Sequence, residues 1–115
     1  RDWVTTGKDN NGNPTYDSTA FGYSRAMEIA AENGATVSYH HYNGKDKDPV
    51  GTPTFTYTND KGVKRTVFFD NPTSWSAKLS VINELGLAGV GSWAMGWVSE
   101  ETAAELYPLL NQHLR

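Results

Sequence analysis

Gly86-Leu87-Ala88-Gly89-Val90-Gly91-Ser92-Trp93 decides how this chain is read. Residues 87–91 are small or apolar at every position, so neither face is polar. A strand reads this way when it lies inside a parallel sheet covered on both sides. Its N–H and C=O groups need neighbouring strands, yet no other stretch of the 115 residues shows the same pattern. Residues 87–93 are therefore expected to form a barrel-type strand whose companions lie outside this sequence.

The flanks fit that reading. Asn71-Pro72-Thr73 opens a helix with apolar Trp75, Leu79, Ile82 and Leu85, stopped by Gly86. Downstream, Ser99 caps a last helix carrying Ala103, Leu106, Leu109 and Leu110, which Pro108 is expected to kink or divide. Helix, buried strand and helix over 71–115 make a piece of α/β architecture.

Upstream the period changes. Residues 35–42 alternate, with Val37, Tyr39 and His41 opposite Thr36, Ser38 and His40. Residues 54–58 and 63–70 alternate again around Asn59-Asp60-Lys61-Gly62, a hairpin signature. A helix is expected over 19–33, with Asp17, Ser18 or Thr19 as cap and Gly34 at its end. Residues 1–17 read as loop around Asn10-Asn11-Gly12-Asn13-Pro14. The expected organisation is a loop over 1–14, a small α+β insertion over 15–70 with an antiparallel sheet, and the helix-strand-helix unit over 71–115.

Composition narrows the function. A formal charge of −3, with Lys64-Arg65 the longest basic run, argues against nucleic acid as a partner. The longest apolar region, 85–97, is interrupted by four glycines and a serine, so no membrane span is expected. There is no cysteine, which excludes disulfides and thiol chemistry and leaves the redox compartment open. The chain starts on Arg1 and no signal-like segment follows, so it is expected to be a trimmed piece with any targeting segment upstream. Four Trp and six Tyr supply faces that stack on sugar rings or fill a core.

Phe69-Asp70-Asn71-Pro72-Thr73-Ser74-Trp75-Ser76-Ala77-Lys78, followed by residues 86–93, resembles the end of glycoside hydrolase family 18. The family's form there is an aromatic-Asp pair, a Ser, a Lys, then Gly-Leu-x-Gly-Val before a Trp. Arg1-Asp2-Trp3 resembles the segment that follows the family's Tyr-Gly on a late barrel strand, and residues 15–69 are similar to its small α+β insertion. The closest flavour is the bacterial cell-wall and spore-cortex branch. The resemblance implies the C-terminal fragment of a (β/α)8 barrel, whose sites lie at the C-terminal ends of the strands. Residues 87–93 would be the eighth strand and 72–85 the helix before it.

The same resemblance implies the site. Trp93 would be the hydrophobic floor under the sugar at the cleavage point, where an indole face covers a pyranose and excludes water around a developing oxocarbenium charge. The plainer reading is a buried barrel tryptophan. Arg1, Asp2 and Trp3 would lie by the cleft, their polar groups binding sugar hydroxyls. Trp97 would line the cleft rim or simply pack, and Tyr57 with Phe55 would form a stacking wall or fill the core. Asp70 is expected to cap a helix and Lys78 to partner a carboxylate. His40 and His41 point to opposite faces of a strand and cannot share a metal there.

The family's catalytic run, Asp-x-x-Asp-x-Asp-x-Glu, has no match, since Asp46-Lys47-Asp48 is too short and lacks the Glu. Family members work by substrate assistance, the Glu protonating the glycosidic oxygen while the substrate's acetamido oxygen attacks the anomeric carbon. No catalytic residue, cofactor or metal ligand is expected in this piece. The expected partner is a polysaccharide containing N-acetylglucosamine, chitin or peptidoglycan, at a bacterial cell surface, outside the cell or at a spore. The isolated piece is expected to dimerise through its orphan strand or to repack it. The alternative is a self-contained binding module that displays Tyr39, Phe55 and Tyr57 as an aromatic platform.

Overall fold

The computed structural model describes residues 1–114. Five strands and three helices follow in the order β1 (Asp2–Lys8), β2 (Pro14–Thr19), α1 (Tyr23–Glu32), β3 (Ser38–His40), β4 (Thr52–Thr58), β5 (Lys64–Phe68), α2 (Pro72–Glu84) and α3 (Glu100–His113). A 3-10 turn lies at Met95–Trp97. The end of the expected 71–115 unit, Arg115, lies outside the described residues.

The opening segment corrects the sequence reading, because residues 1–14 are mostly strand. Trp3, Val4, Thr5 and Thr6 are aromatic or β-branched and fit a pleated surface. β1 pairs antiparallel with β2 from Asp2↔Thr19 to Lys8↔Pro14, with a bulge between Thr5 and Gly7. The Asn- and Gly-rich cluster that signalled a loop is the turn of this hairpin. There the Asp9 carboxylate accepts the backbone N–H of Asn11 at 2.8 Å and of Asn13 at 2.9 Å. Since β2 runs to Thr19, α1 starts at Tyr23 rather than at 19, with Gly22 extended at its N-cap.

All strands join one antiparallel sheet of order β2-β1-β5-β4-β3. Register sorts the faces, because cross-strand partners point the same way. Asp2, Val67 and Phe55 stand in one row. On that face α1 lays Ala26, Ile29 and Ala30 against Phe55 and Val67, with Phe21, Ala35, Val37, Tyr57 and Phe69 at the margins. Burying Phe55 and Val67 contributes roughly 1.5–3 kcal/mol each. The hairpin β4–β5 falls where expected, its turn held by Asn59 Oδ1, which accepts from Lys61 N and Val63 N. Among the described residues no helix packs on the opposite face.

α2 begins at Pro72 as expected. Asn71 is its cap, its side chain accepting from Ser74 N at 3.1 Å while the Ser74 hydroxyl accepts from Asn71 N at 3.0 Å. α3 runs through Pro108 without being divided there. α2 and α3 pack together, and α3 reaches the start of α1. Ser24 Oγ lies 2.6 Å from Ser99 Oγ and 2.9 Å from Thr102 Oγ1, while the Tyr23 hydroxyl donates to Glu105 at 3.2 Å.

Residues 87–93 differ from expectation within this chain: they form irregular backbone that pairs with none of the five described strands. A strand exists through its neighbours, and the nearby helices offer no ladder. Leu87 and Val90 are half exposed, and the bond between Trp93 and Ala94 is cis. The architecture shown is thus a small α+β domain with an antiparallel sheet and a helical appendage.

Gly22 fixes the joint between sheet unit and appendage. A Cβ there would stand 2.7 Å from the Trp97 carbonyl oxygen. Gly22→Ala is expected to cost about 1–3 kcal/mol by forcing the 95–97 turn away from α1. A fall in the urea midpoint, with the Ser24–Ser99 contact loosened, checks it. An unchanged midpoint counts against the joint.

Candidate functional site

At the start of β1, Asp2 is 4% exposed although it is the second residue. Two neighbours on the helix-covered face account for its burial. Arg65 Nε donates to Asp2 Oδ1 at 2.9 Å, and the Tyr57 hydroxyl donates to Asp2 Oδ2 at 2.6 Å. Tyr57↔Arg65 and Asp2↔Val67 are registered cross-strand pairs, so β4, β5 and β1 each supply one member. Arg65 was not anticipated. Its position two residues before Val67 on the same strand face was the available signal.

Burial, the hydrogen bond to Asp2 and the Asp2 charge together push the Tyr57 phenol above its ordinary value of 10.0. A phenol with a raised folded value keeps its proton where the unfolded chain has lost it. Its stabilisation is intact below about pH 10 and fades as pH rises through the higher folded value. Stability measured by urea melts is expected to decline above pH 10, with a shallower decline in Tyr57→Phe. Equal slopes for the two proteins would remove Tyr57 from the explanation.

Arg1 and Trp3 turn to the helix-free face. Arg1 Nη1 donates to Ser18 Oγ at 3.0 Å, and Trp3 meets Tyr16 edge-on at 6.5 Å. Phe55 lies in the core against α1 and Tyr57 borders it, so the platform expected from Tyr39, Phe55 and Tyr57 belongs to the covered side. A shallow groove of about 860 Å³ lies on the other side instead, among Trp3, Thr5, Tyr16, Tyr42, Lys64 and Phe68. The His40 ring lies 4.5 Å from Tyr42 and 6.1 Å from Phe68, two of these residues. The alternation Lys64, Thr66, Phe68, opposite Arg65 and Val67, could have revealed this surface.

Beside the start of α2, Asp70 accepts both contacts of Lys78 Nζ at 2.7 Å and the Ser74 hydroxyl at 2.8 Å. Lys78 is the carboxylate partner expected of it. The helix cap is Asn71, and Asp70 acts one residue earlier, through side chains. Asn71 also donates to the Tyr39 hydroxyl at 2.8 Å, which ties α2 to β3. His41 Nδ1 lies 2.6 Å from the Asp48 carbonyl, in the loop after β3.

Trp93 is 99% exposed, and Trp97 is half exposed beside Gly22. The structure therefore joins Asp2 to Tyr57 directly, places Arg1 and Trp3 on the opposite face, and stands Trp93 in solvent on the 87–93 segment. Among the described residues no helix is long and apolar enough to cross a membrane.

No family model matches the chain. The crystal structure of the C-terminal domain of a chitinase-like protein from Desulfitobacterium hafniense DCB-2 superposes with a TM-score of 0.91 at 71% identity, over 99% of this chain and 32% of that one. The spore cortex-lytic enzyme SleL of Bacillus megaterium QM B1551 shares the fold, with a TM-score of 0.70 at 22% identity over 97% of this chain and 23% of that one. The cortical fragment-lytic enzyme of Bacillus subtilis (strain 168) is 31% identical over 72 residues, which are 63% of this chain and 15% of that protein. The chain thus spans about a third or less of these relatives. By sequence and by fold, it resembles the C-terminal part of the chitinase-like and spore-cortex branch of glycoside hydrolase family 18.

Proposed function

We propose that this chain is the C-terminal portion of a family 18 glycosidase that hydrolyses β-1,4-linked, N-acetylglucosamine-containing polysaccharide, peptidoglycan or chitin, at a cell wall or spore. The observation that carries it is Trp93, a tryptophan 99% exposed on an apolar segment without strand partners. A soluble domain rarely leaves such surface uncovered. A segment built to lie between barrel strands, in a chain that matches 32% of its chitinase-like relative, would be covered by the remainder of such a barrel. Residues 72–84 and 100–113 would then be the last barrel helices, and 15–70 the insertion unit, with β1 joined to it.

In this reading the chain supplies cleft wall and floor, and the acid is supplied from elsewhere. Trp93 covers the sugar at the cleavage point, Trp97 lines the rim, and Arg1 and Trp3 offer a guanidinium and an indole beside it. Asp2, held by Tyr57 and Arg65, keeps the first strand in place. The reaction is substrate-assisted: a Glu outside this chain protonates the leaving oxygen while the acetamido oxygen closes on the anomeric carbon.

Release of soluble sugar from peptidoglycan and chitin tests the proposal. The 115 residues alone are expected to release none, and a longer protein containing them and the acidic run to release it from one polymer or both. Hydrolysis by the chain alone, or none by the longer protein, overturns it. In the latter case a non-catalytic binding module is the better account.

A further inference from the structure

We propose that the helix-free face of the sheet is a glycan-binding surface selective for saccharides that carry carboxylates. This rests on the glycosidase reading and names the substrate class its outer wall would favour. The argument begins with how register distributes charge. The positions facing this side are Lys8, Pro14, Tyr16, Ser18, Trp3 and Thr5 on the first hairpin, Lys64, Thr66 and Phe68 on β5, alternate threonines on β4, and Ser38 and His40 on β3. Arg1 joins them through Ser18. They include three cations, Arg1, Lys8 and Lys64, and no carboxylate. Asp2 and Asp17, the acidic residues of the strands, face α1's side with Val67 and Val4. A chain of net charge −3 has thus cleared acid from one entire sheet face.

The uncharged residues there suit a sugar. Tyr16 is 58% and Tyr42 56% exposed beside partly exposed Trp3, at the groove of about 860 Å³. That volume is within the range of small-molecule sites, roughly 300–1,000 Å³. Aromatic rings cover the apolar faces of pyranoses, while Thr5, Thr54, Thr56 and Thr66 offer hydroxyls from the same side. The turn acids Asp9 and Asp48 are occupied by backbone N–H groups, Asp9 by Asn11 and Asn13, Asp48 by Tyr42 and Gly51. Asp46 and Asp60 remain in the flanking loops. Cations without acids complement lactyl or peptide carboxylates on alternate sugars, as in peptidoglycan, and gain nothing from neutral chitin.

Titration calorimetry of the isolated chain in low salt compares a tetrasaccharide alternating N-acetylglucosamine and N-acetylmuramic acid with the N-acetylglucosamine tetramer. The acidic ligand is expected to bind about 3–10-fold more tightly, with the difference shrinking in 0.5 M salt. Lys64→Gln should remove most of that preference. Tyr16→Ala and Tyr42→Ala should weaken both ligands about tenfold. These three side chains are exposed, so the variants are expected to keep the fold, checked by circular dichroism. Equal affinities, or a preference untouched by Lys64→Gln, overturn the proposal, as does binding by neither ligand. Hydrolysis by the longer protein is read separately, so the glycosidase assignment can stand while this face fails, and the reverse.

Discussion

Asp2→Ala is expected to destabilise the folded chain by about 3–5 kcal/mol, because it strands a guanidinium inside the sheet unit. The Asp2 side chain is 6% exposed and that of Arg65 is 17%, so neither is screened as a surface pair would be. With the carboxylate gone, Arg65 Nε and the Tyr57 hydroxyl lose their acceptor together. A chain of this length has a total stability of roughly 6–17 kcal/mol, so the loss would be a large share of it. Asp2→Ala combined with Arg65→Met should recover most of the deficit, since the uncompensated charge is gone. Urea denaturation with unchanged m-values checks both proteins. A single variant within 1 kcal/mol of the parent protein would mean that water reaches the pair.

That network also marks where the sequence was readable. The β4–β5 hairpin and the α2 start followed from local chemistry, an Asn-Asp-Lys-Gly turn and a proline at N1. Lys78 was expected to meet a carboxylate, but its partner Asp70 was expected to cap the helix, a place Asn71 takes. The first hairpin was misread because Asn10 to Pro14 dominated its neighbourhood and hid the strand propensity of Trp3 to Thr6. Asp2 could not be placed, since its partners lie 55 and 63 residues away and only register brings them together. Tyr57 was singled out, but the face it shares with Phe55 became the one under α1. Choosing between two faces of an alternating strand requires knowing where the helix lies, and Tyr16, Tyr42 and Phe68 were passed over for that reason. The segment 87–93 gave the clearest signal. Its pattern is that of a doubly covered strand, although none of the described strands pairs with it.

The largest effect expected on activity belongs to Trp93. In the isolated chain Trp93→Ala should change stability by less than about 0.5 kcal/mol, because a side chain 99% exposed contributes little packing. In a longer, hydrolytic protein the same substitution should lower kcat/KM by about 30–100-fold, the range for removing a central aromatic anchor. A purely structural tryptophan in an assembled barrel would lower the melting temperature of the longer protein and leave kcat/KM of the folded fraction near the parent value. A sugar-covering one would leave the melting temperature nearly fixed and lower kcat with it, because stacking that strengthens toward a flattened, positively charged ring acts on the transition state. Trp93→Phe separates the roles further. It should restore part of the rate, since a smaller ring still covers the pyranose. A longer protein whose kcat/KM is indifferent to both substitutions would place the cleft away from this tryptophan.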